Sequence, residues 1–115
     1  MEDLEGEQLW RSASALEDKG RLNEAIALYK KAIIKKNINS MINLANIYDD
    51  KIKPSRPHEA VLLYKKAARW GSSVAAWNLY KHFSNIFDKR KSKYWLDRAA
   101  SLGDEDAISI LKKRK

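Results

Sequence analysis

One nine-residue segment occurs twice in this chain, and that repetition limits the possible folds more than any other feature. Glu24-Ala25-Ile26-Ala27-Leu28-Tyr29-Lys30-Lys31-Ala32 returns 35 residues later as Glu59-Ala60-Val61-Leu62-Leu63-Tyr64-Lys65-Lys66-Ala67. The copies agree at Glu, Ala, Leu, Tyr, Lys, Lys and Ala. A looser third copy, Lys91-Ser92-Lys93-Tyr94-Trp95-Leu96-Asp97-Arg98-Ala99, starts 32 residues after the second. A period of this length marks an array of supersecondary units. Within each copy a small residue, an aromatic or Leu four positions on, and an Ala three further on share one helical face. Small residues let helices approach closely, and the ring fills the groove beside them.

Each copy is predicted to be the second helix of a pair. The preceding segments supply the first helices. The first runs about 4–18, with Leu9, Ala13 and Leu16 inward. The second runs about 39–50, with Met41, Leu44, Ala45 and Tyr48 inward. The third runs about 73–87, with Ala76, Leu79, Tyr80 and Phe83 inward. Gly20 suits a left-handed cap after the first helix, and Gly71 and Gly103 close later ones. Ser72 and Asp104 can cap the helices that follow. Pro54 and Pro57 break the chain between the second pair's helices. A last segment, 104–115, carries Ala107, Ile108 and Leu111 on one side and should cover the end of the stack. The expectation is an all-α, right-handed α-solenoid forming a single domain over 1–115. Repeat one spans about 4–36, repeat two about 39–71 and repeat three about 72–103, followed by a C-terminal capping helix over 104–115. Met1 and that covering helix suggest a complete chain.

Composition agrees. The chain has 115 residues, 44% of them hydrophobic, with four glycines and two prolines. It has no cysteine, which excludes disulfides and thiolate metal sites. The acidic start, Met1-Glu2-Asp3-Leu4-Glu5, is the opposite of a secretory signal. No apolar run approaches the ~20 residues of a membrane span. A cytoplasmic protein without a membrane partner is expected. The net charge of +8 is uneven: −4 over residues 1–24 and +12 over 25–115. That asymmetry fits an acidic partner or nucleic acid, and equally a solubilising coat of lysines.

The repeat resembles the tetratricopeptide repeat, particularly its SEL-like variant. Gly20-Arg21-Leu22-Asn23-Glu24-Ala25 with Tyr29 and Ala32, and Asn43-Leu44-Ala45 with Tyr48, are similar to the tetratricopeptide signature. The SEL-like flavour lies in Lys66-Ala67-Ala68-Arg69-Trp70-Gly71 followed by Ala75 and Leu79. It recurs in Arg98-Ala99-Ala100-Ser101-Leu102-Gly103 followed by Ala107 and Leu111, and the longer loop at 51–57 suits it. The sequence departs from the pattern where Ala45 and Tyr80 replace a usual Gly, and where Arg11-Ser12 stands for the Asn-Leu pair.

The resemblance implies a concave groove built from first helices, which binds a peptide or another protein. Aligned that way, the groove presents Trp10 and Ser14, then Asn39, Ile42, Asn43 and Asn46, then Trp77, Asn78 and Lys81. Tryptophans are typical anchors, and Asn can pair with peptide backbone. The bland alternative is that Trp10 and Trp77 fill gaps between helices. Trp70 and Trp95 are expected to pack between repeats. Chaperone-tail clamping is excluded: only Asn43 matches a clamp position, while Trp10, Val74 and Asn78 occupy the cationic ones.

No catalytic, metal or cofactor motif accompanies this. His58 and His82 lack a carboxylate or nucleophile at dyad spacing. Asp49-Asp50 ends a helix, and Asp104-Glu105-Asp106 begins one, where acids suit the macrodipole. There is no calcium-hand loop and no glycine-rich phosphate loop. The expectation is a non-catalytic, cofactor-free protein-binding module. A narrower version is an immunity protein that neutralises a bacterial toxin by covering it. The alternative of a different class is an RNA- or DNA-binding adaptor using the patch Lys89, Arg90, Lys91 and Lys93.

Overall fold

The computed structural model describes residues 4–114. The elements run α1 (Leu4–Asp18), α2 (Leu22–Ile34), α3 (Ile38–Asn46), a π-helical turn (Ile47–Lys51), α4 (Pro57–Arg69), α5 (Ser73–Asn85), α6 (Lys89–Ser101) and α7 (Glu105–Lys113). No strand occurs among the described residues. The chain divides into two compact units, Met1–Leu63 and Tyr64–Lys115, with the boundary inside α4.

The inward faces are rich in alanine. In the first unit Ala13, Ala25, Tyr29, Ala32, Met41, Leu44, Ala45, Ile47, Tyr48 and Ala60 are buried. There α1 packs on α2, and α2 on α3. In the second unit Tyr64, Ala67, Ala68, Ala75, Ala76, Leu79, Phe83, Trp95, Leu96, Ala99 and Ala107 are buried. There α5 packs on α6, and α6 on α7. Alanine at these contacts shortens the interaxial distance and lets the large neighbours interdigitate.

Five of the turns between helices share one geometry. After α1, α2, α4, α5 and α6, the residue with positive φ is Gly20, Lys36, Gly71, Phe87 and Gly103 in turn. Its N–H donates to the carbonyl three residues back, and the next N–H donates to the carbonyl five residues back. This pair of bonds is the Schellman closure of a helix end. The residue that completes it also opens the next helix. Asn37, Ser72, Asp88 and Asp104 accept, through their side chains, from Ser40 N, Ala75 N, Lys91 N and Ala107 N. Two residues thus end one helix and start another.

Two sequence expectations need correction. The helix expected over 39–50 is not uniform: it leaves α-geometry after Asn46 and widens into the π turn, where Ile52 N–H donates to Ile47 O at 3.2 Å. The wider turn lets Ile47 and Tyr48 both point inward beside Leu44 and Ala45. Trp70, expected to be packed away, is 47% exposed. It sits at the end of α4, beyond the buried stripe of Ala60, Tyr64, Ala67 and Ala68.

Candidate binding surfaces

A buried tyrosine must satisfy its hydroxyl, and Tyr29 does so at a four-element junction. Its ring is fully buried on α2. Its hydroxyl donates to Glu17 Oε1 of α1 at 2.7 Å and accepts from Asn43 Nδ2 of α3 at 2.9 Å. Ser14 is a further hydrogen-bonding neighbour of the same oxygen. The other oxygen of Glu17 pairs with Lys51 Nζ on the π turn. Burial, helped by the charge of Glu17, pushes the Tyr29 phenol from 10.0 up to about 12. The hydrogen bond to Glu17 likewise raises Lys51 against some loss of hydration.

Beyond Tyr29, the first unit holds two adjoining clefts that share Lys30 and Tyr48. One, of about 330 Å³, is lined by Lys30, Ile33, Leu44, Tyr48, Glu59, Leu62 and Leu63. Apart from Lys30 and Glu59 its walls are apolar or aromatic, and Leu62 is 52% exposed. The other, of about 370 Å³, is lined by Asn23, Ile26, Lys30, Tyr48, Ile52, Lys53, Pro54 and Arg56. The loop that forms its rim is tied down, because Arg56 N–H donates to Tyr48 O at 2.6 Å. The Arg56 guanidinium lies 5.8 Å from the Tyr48 ring centroid and 3.6 Å from Glu59. Lys30 and Lys53 have no ion pair among the described residues. One compartment can take an apolar side chain, and the other an anionic group.

The residues expected on a concave face have different fates. Ser14 and Asn43 come together on the Tyr29 hydroxyl. Trp10 is half-buried, and its Nε1 is buried without a hydrogen-bond partner among the described residues. Asn39 is exposed, and Ile42 and Asn46 are half-buried. On α5, Trp77 and Asn78 are half-buried and Lys81 is exposed. The Trp77 ring lies 5.1 Å from that of Tyr80, tilted by 41°. Lys89, Arg90, Lys91 and Lys93 are all exposed at the start of α6. The Nζ of Lys91 stands 5.4 Å from the Phe83 ring centroid, and Lys93 pairs with Asp97 at 3.0 Å.

The sequence reading did not single out the cleft residues Ile33, Lys53, Arg56, Leu62 and Leu63. One signal was available. The repeat has Ala27 in its first copy and Leu62 in its second, a large apolar residue off the buried stripe. The cationic cleft had no such signal, because it exists only where the 52–56 loop folds over Tyr48. Among the described residues no group of three or more His, Asp or Glu side chains is placed to hold a metal ion. No protein-family model and no curated protein sequence matches the chain.

Proposed function

We propose that this protein is a non-catalytic binding module for another protein, and that it takes an acidic segment bearing an apolar side chain. The adjoining clefts of the first unit carry this reading. The apolar compartment bounded by Leu44, Leu62 and Leu63 would desolvate one side chain of the partner. Lys30 and Lys53 then stand ready for a carboxylate next to it, with Arg56 on the same rim already paired to Glu59. The combination of a desolvated anchor and a nearby charge gives affinity from the first and fast, selective encounter from the second. The net charge of +8 acts in the same direction.

The right-handed array of three SEL-like repeats with a terminal capping helix belongs to this proposal. It is supported by the shared turn geometry and by the matched burial of Ala25 with Ala60, Tyr29 with Tyr64 and Ala32 with Ala67. Asn39, Ile42, Asn46, Trp77, Asn78 and Lys81 keep surface to offer on the first helices. The test is a fluorescence titration with synthetic peptides that place Leu or Phe beside Asp or Glu, against peptides with Lys in the acidic positions. Leu62→Asp and Lys53→Glu are each expected to weaken the acidic peptides at least tenfold, while Lys65→Ala with Lys66→Ala changes little. Equal binding of both peptide sets would sink the cleft reading, and so would loss of binding only in the Lys65/Lys66 variant.

A further inference from the structure

Two local costs coincide at the turn between α5 and α6. The first is conformational. Phe87 sits at φ +61, in the position that glycine fills in three of the sister turns. A residue with a Cβ is disfavoured there. Lys36 also accepts it, but as an exposed cation with nothing apolar to hide. Packing does not compensate Phe87, which is 88% exposed, and neighbouring Ile86 is 57% exposed. The second cost is electrostatic. Lys89, Arg90, Lys91 and Lys93 crowd the start of α6, the end at which a helix carries partial positive charge. The nearby acids are engaged: Asp88 accepts from Lys91 N–H at 3.1 Å, and Asp97 pairs with Lys93. Lys89 and Arg90 have no ion pair among the described residues.

We infer that this turn is a docking element for an anionic lipid surface. Phe87 and Ile86 enter the boundary between headgroups and acyl chains, and the four cations meet the lipid phosphates and carboxylates. Both costs are then offset by a single partner, because such an interface is negative at its surface and apolar just beneath it. Tyr94, 55% exposed a little further along α6, has the amphipathic ring that settles at headgroup level. The turn has few directional groups to offer. The N–H groups of Phe87 and Asp88 are already bonded, to Ser84 O at 3.1 Å and Phe83 O at 2.9 Å. Recognition must therefore come from charge and apolar area, which a fluid lipid surface supplies without a matching pocket. No helix among the described residues is long and apolar enough to cross a membrane, and a peripheral contact needs none, so the expectation of no membrane partner is narrowed here to no spanning segment. The residues involved are separate from the clefts, so this inference stands or falls independently of the peptide-binding proposal.

The test is co-sedimentation of the full chain with vesicles of phosphatidylcholine alone, or of phosphatidylcholine mixed with phosphatidylserine. Binding is expected only with phosphatidylserine and should fall with salt. Phe87→Gly relieves the backbone and removes the wedge. Its melting temperature should rise by a few degrees while its vesicle partitioning drops about tenfold. Replacing Lys89 and Arg90 together by Ala should cost roughly twenty-fivefold, about fivefold for each cation. Removing Lys65 and Lys66 instead should cost much less. The inference is overturned by absent or phosphatidylserine-independent binding, or by Phe87→Gly partitioning like the parent. Tight binding of homopolymeric RNA that competes with the vesicles and ignores Phe87→Gly would also overturn it, by assigning the cations to nucleic acid.

Discussion

Replacing Tyr29 by Phe removes one oxygen and keeps the ring, so it isolates what the buried hydroxyl contributes. That hydroxyl makes one bond to a carboxylate that is itself nearly buried, Glu17 at 11% exposure, and one bond to the Asn43 amide. A hydrogen bond to a charged group contributes about 1.5–3 kcal/mol and a neutral one about 0.5–1.5 kcal/mol. Water can partly replace the lost partner at this part-buried site, so a net cost of about 2–3 kcal/mol is expected at neutral pH. The ionisation of the phenol adds a pH dependence of known sign. Its pKa is 10.0 when free and about 12 in the fold, because burial first, and the Glu17 carboxylate after it, favour the neutral form. Because the folded pKa is the higher one, this stabilisation is complete below pH 10 and is lost as pH climbs through 12. Lys51, also raised, loses its contribution in the same alkaline direction, but it does so in parent and variant alike. Urea unfolding of both proteins at pH 8 and at stepped values up to 12 therefore makes a signed forecast. Tyr29→Phe is less stable by about 2–3 kcal/mol at pH 8, and the gap closes as the parent ionises. Ultraviolet titration of tyrosinate should show a component near pH 12 that the variant lacks. A gap that stays constant with pH, or a variant as stable as the parent at pH 8, would refute the reasoning.

Three further outcomes follow from the packing and the turns. Gly103→Ala should cost about 1–2 kcal/mol, because φ is +100 there and a Cβ would meet nothing within 4 Å, so the loss is conformational alone; an unchanged denaturation midpoint would deny the left-handed turn. Ala67→Leu should destabilise by roughly 1–3 kcal/mol by overpacking a fully buried contact, and thermal melts that coincide with the parent would disprove that burial. Asp104→Ala removes the side chain that accepts from Ala107 N at 2.9 Å and should cost about 0.5–2 kcal/mol. Faster amide exchange confined to α7 would locate the effect, and exchange unaltered along α7 would contradict it.

The helices, the ends marked by glycine and the buried alanines were legible in the sequence because each is a local property, whereas the end of α3 at Asn46 and the turn at Lys36 were not. A left-handed cap needs one residue of low Cβ cost, an N-cap needs one short acceptor, and a buried stripe needs only a period near 3.6. Gly20, Gly71, Gly103, Ser72 and Asp104 announced their turns in that way, and Ala25, Ala60, Ala67 and Ala99 their burial. The identical turn at Phe87 was hidden because its sequence lacks the glycine that usually marks it. Partner choice across helices was not legible either. Tyr29 meets Glu17, Asn43 meets Tyr29, and Lys51 meets Glu17 at separations of 12, 14 and 34 residues. Those meetings depend on how far each helix is rotated and shifted on its neighbour, which a repeating pattern of apolar residues leaves open. Asn43 illustrates the difference: the sequence placed it on a first helix, while the tertiary structure pointed its amide at the Tyr29 hydroxyl. The clefts arose in the same way, since Lys53 and Arg56 reach Tyr48 and Lys30 only through the π turn and the loop beyond it.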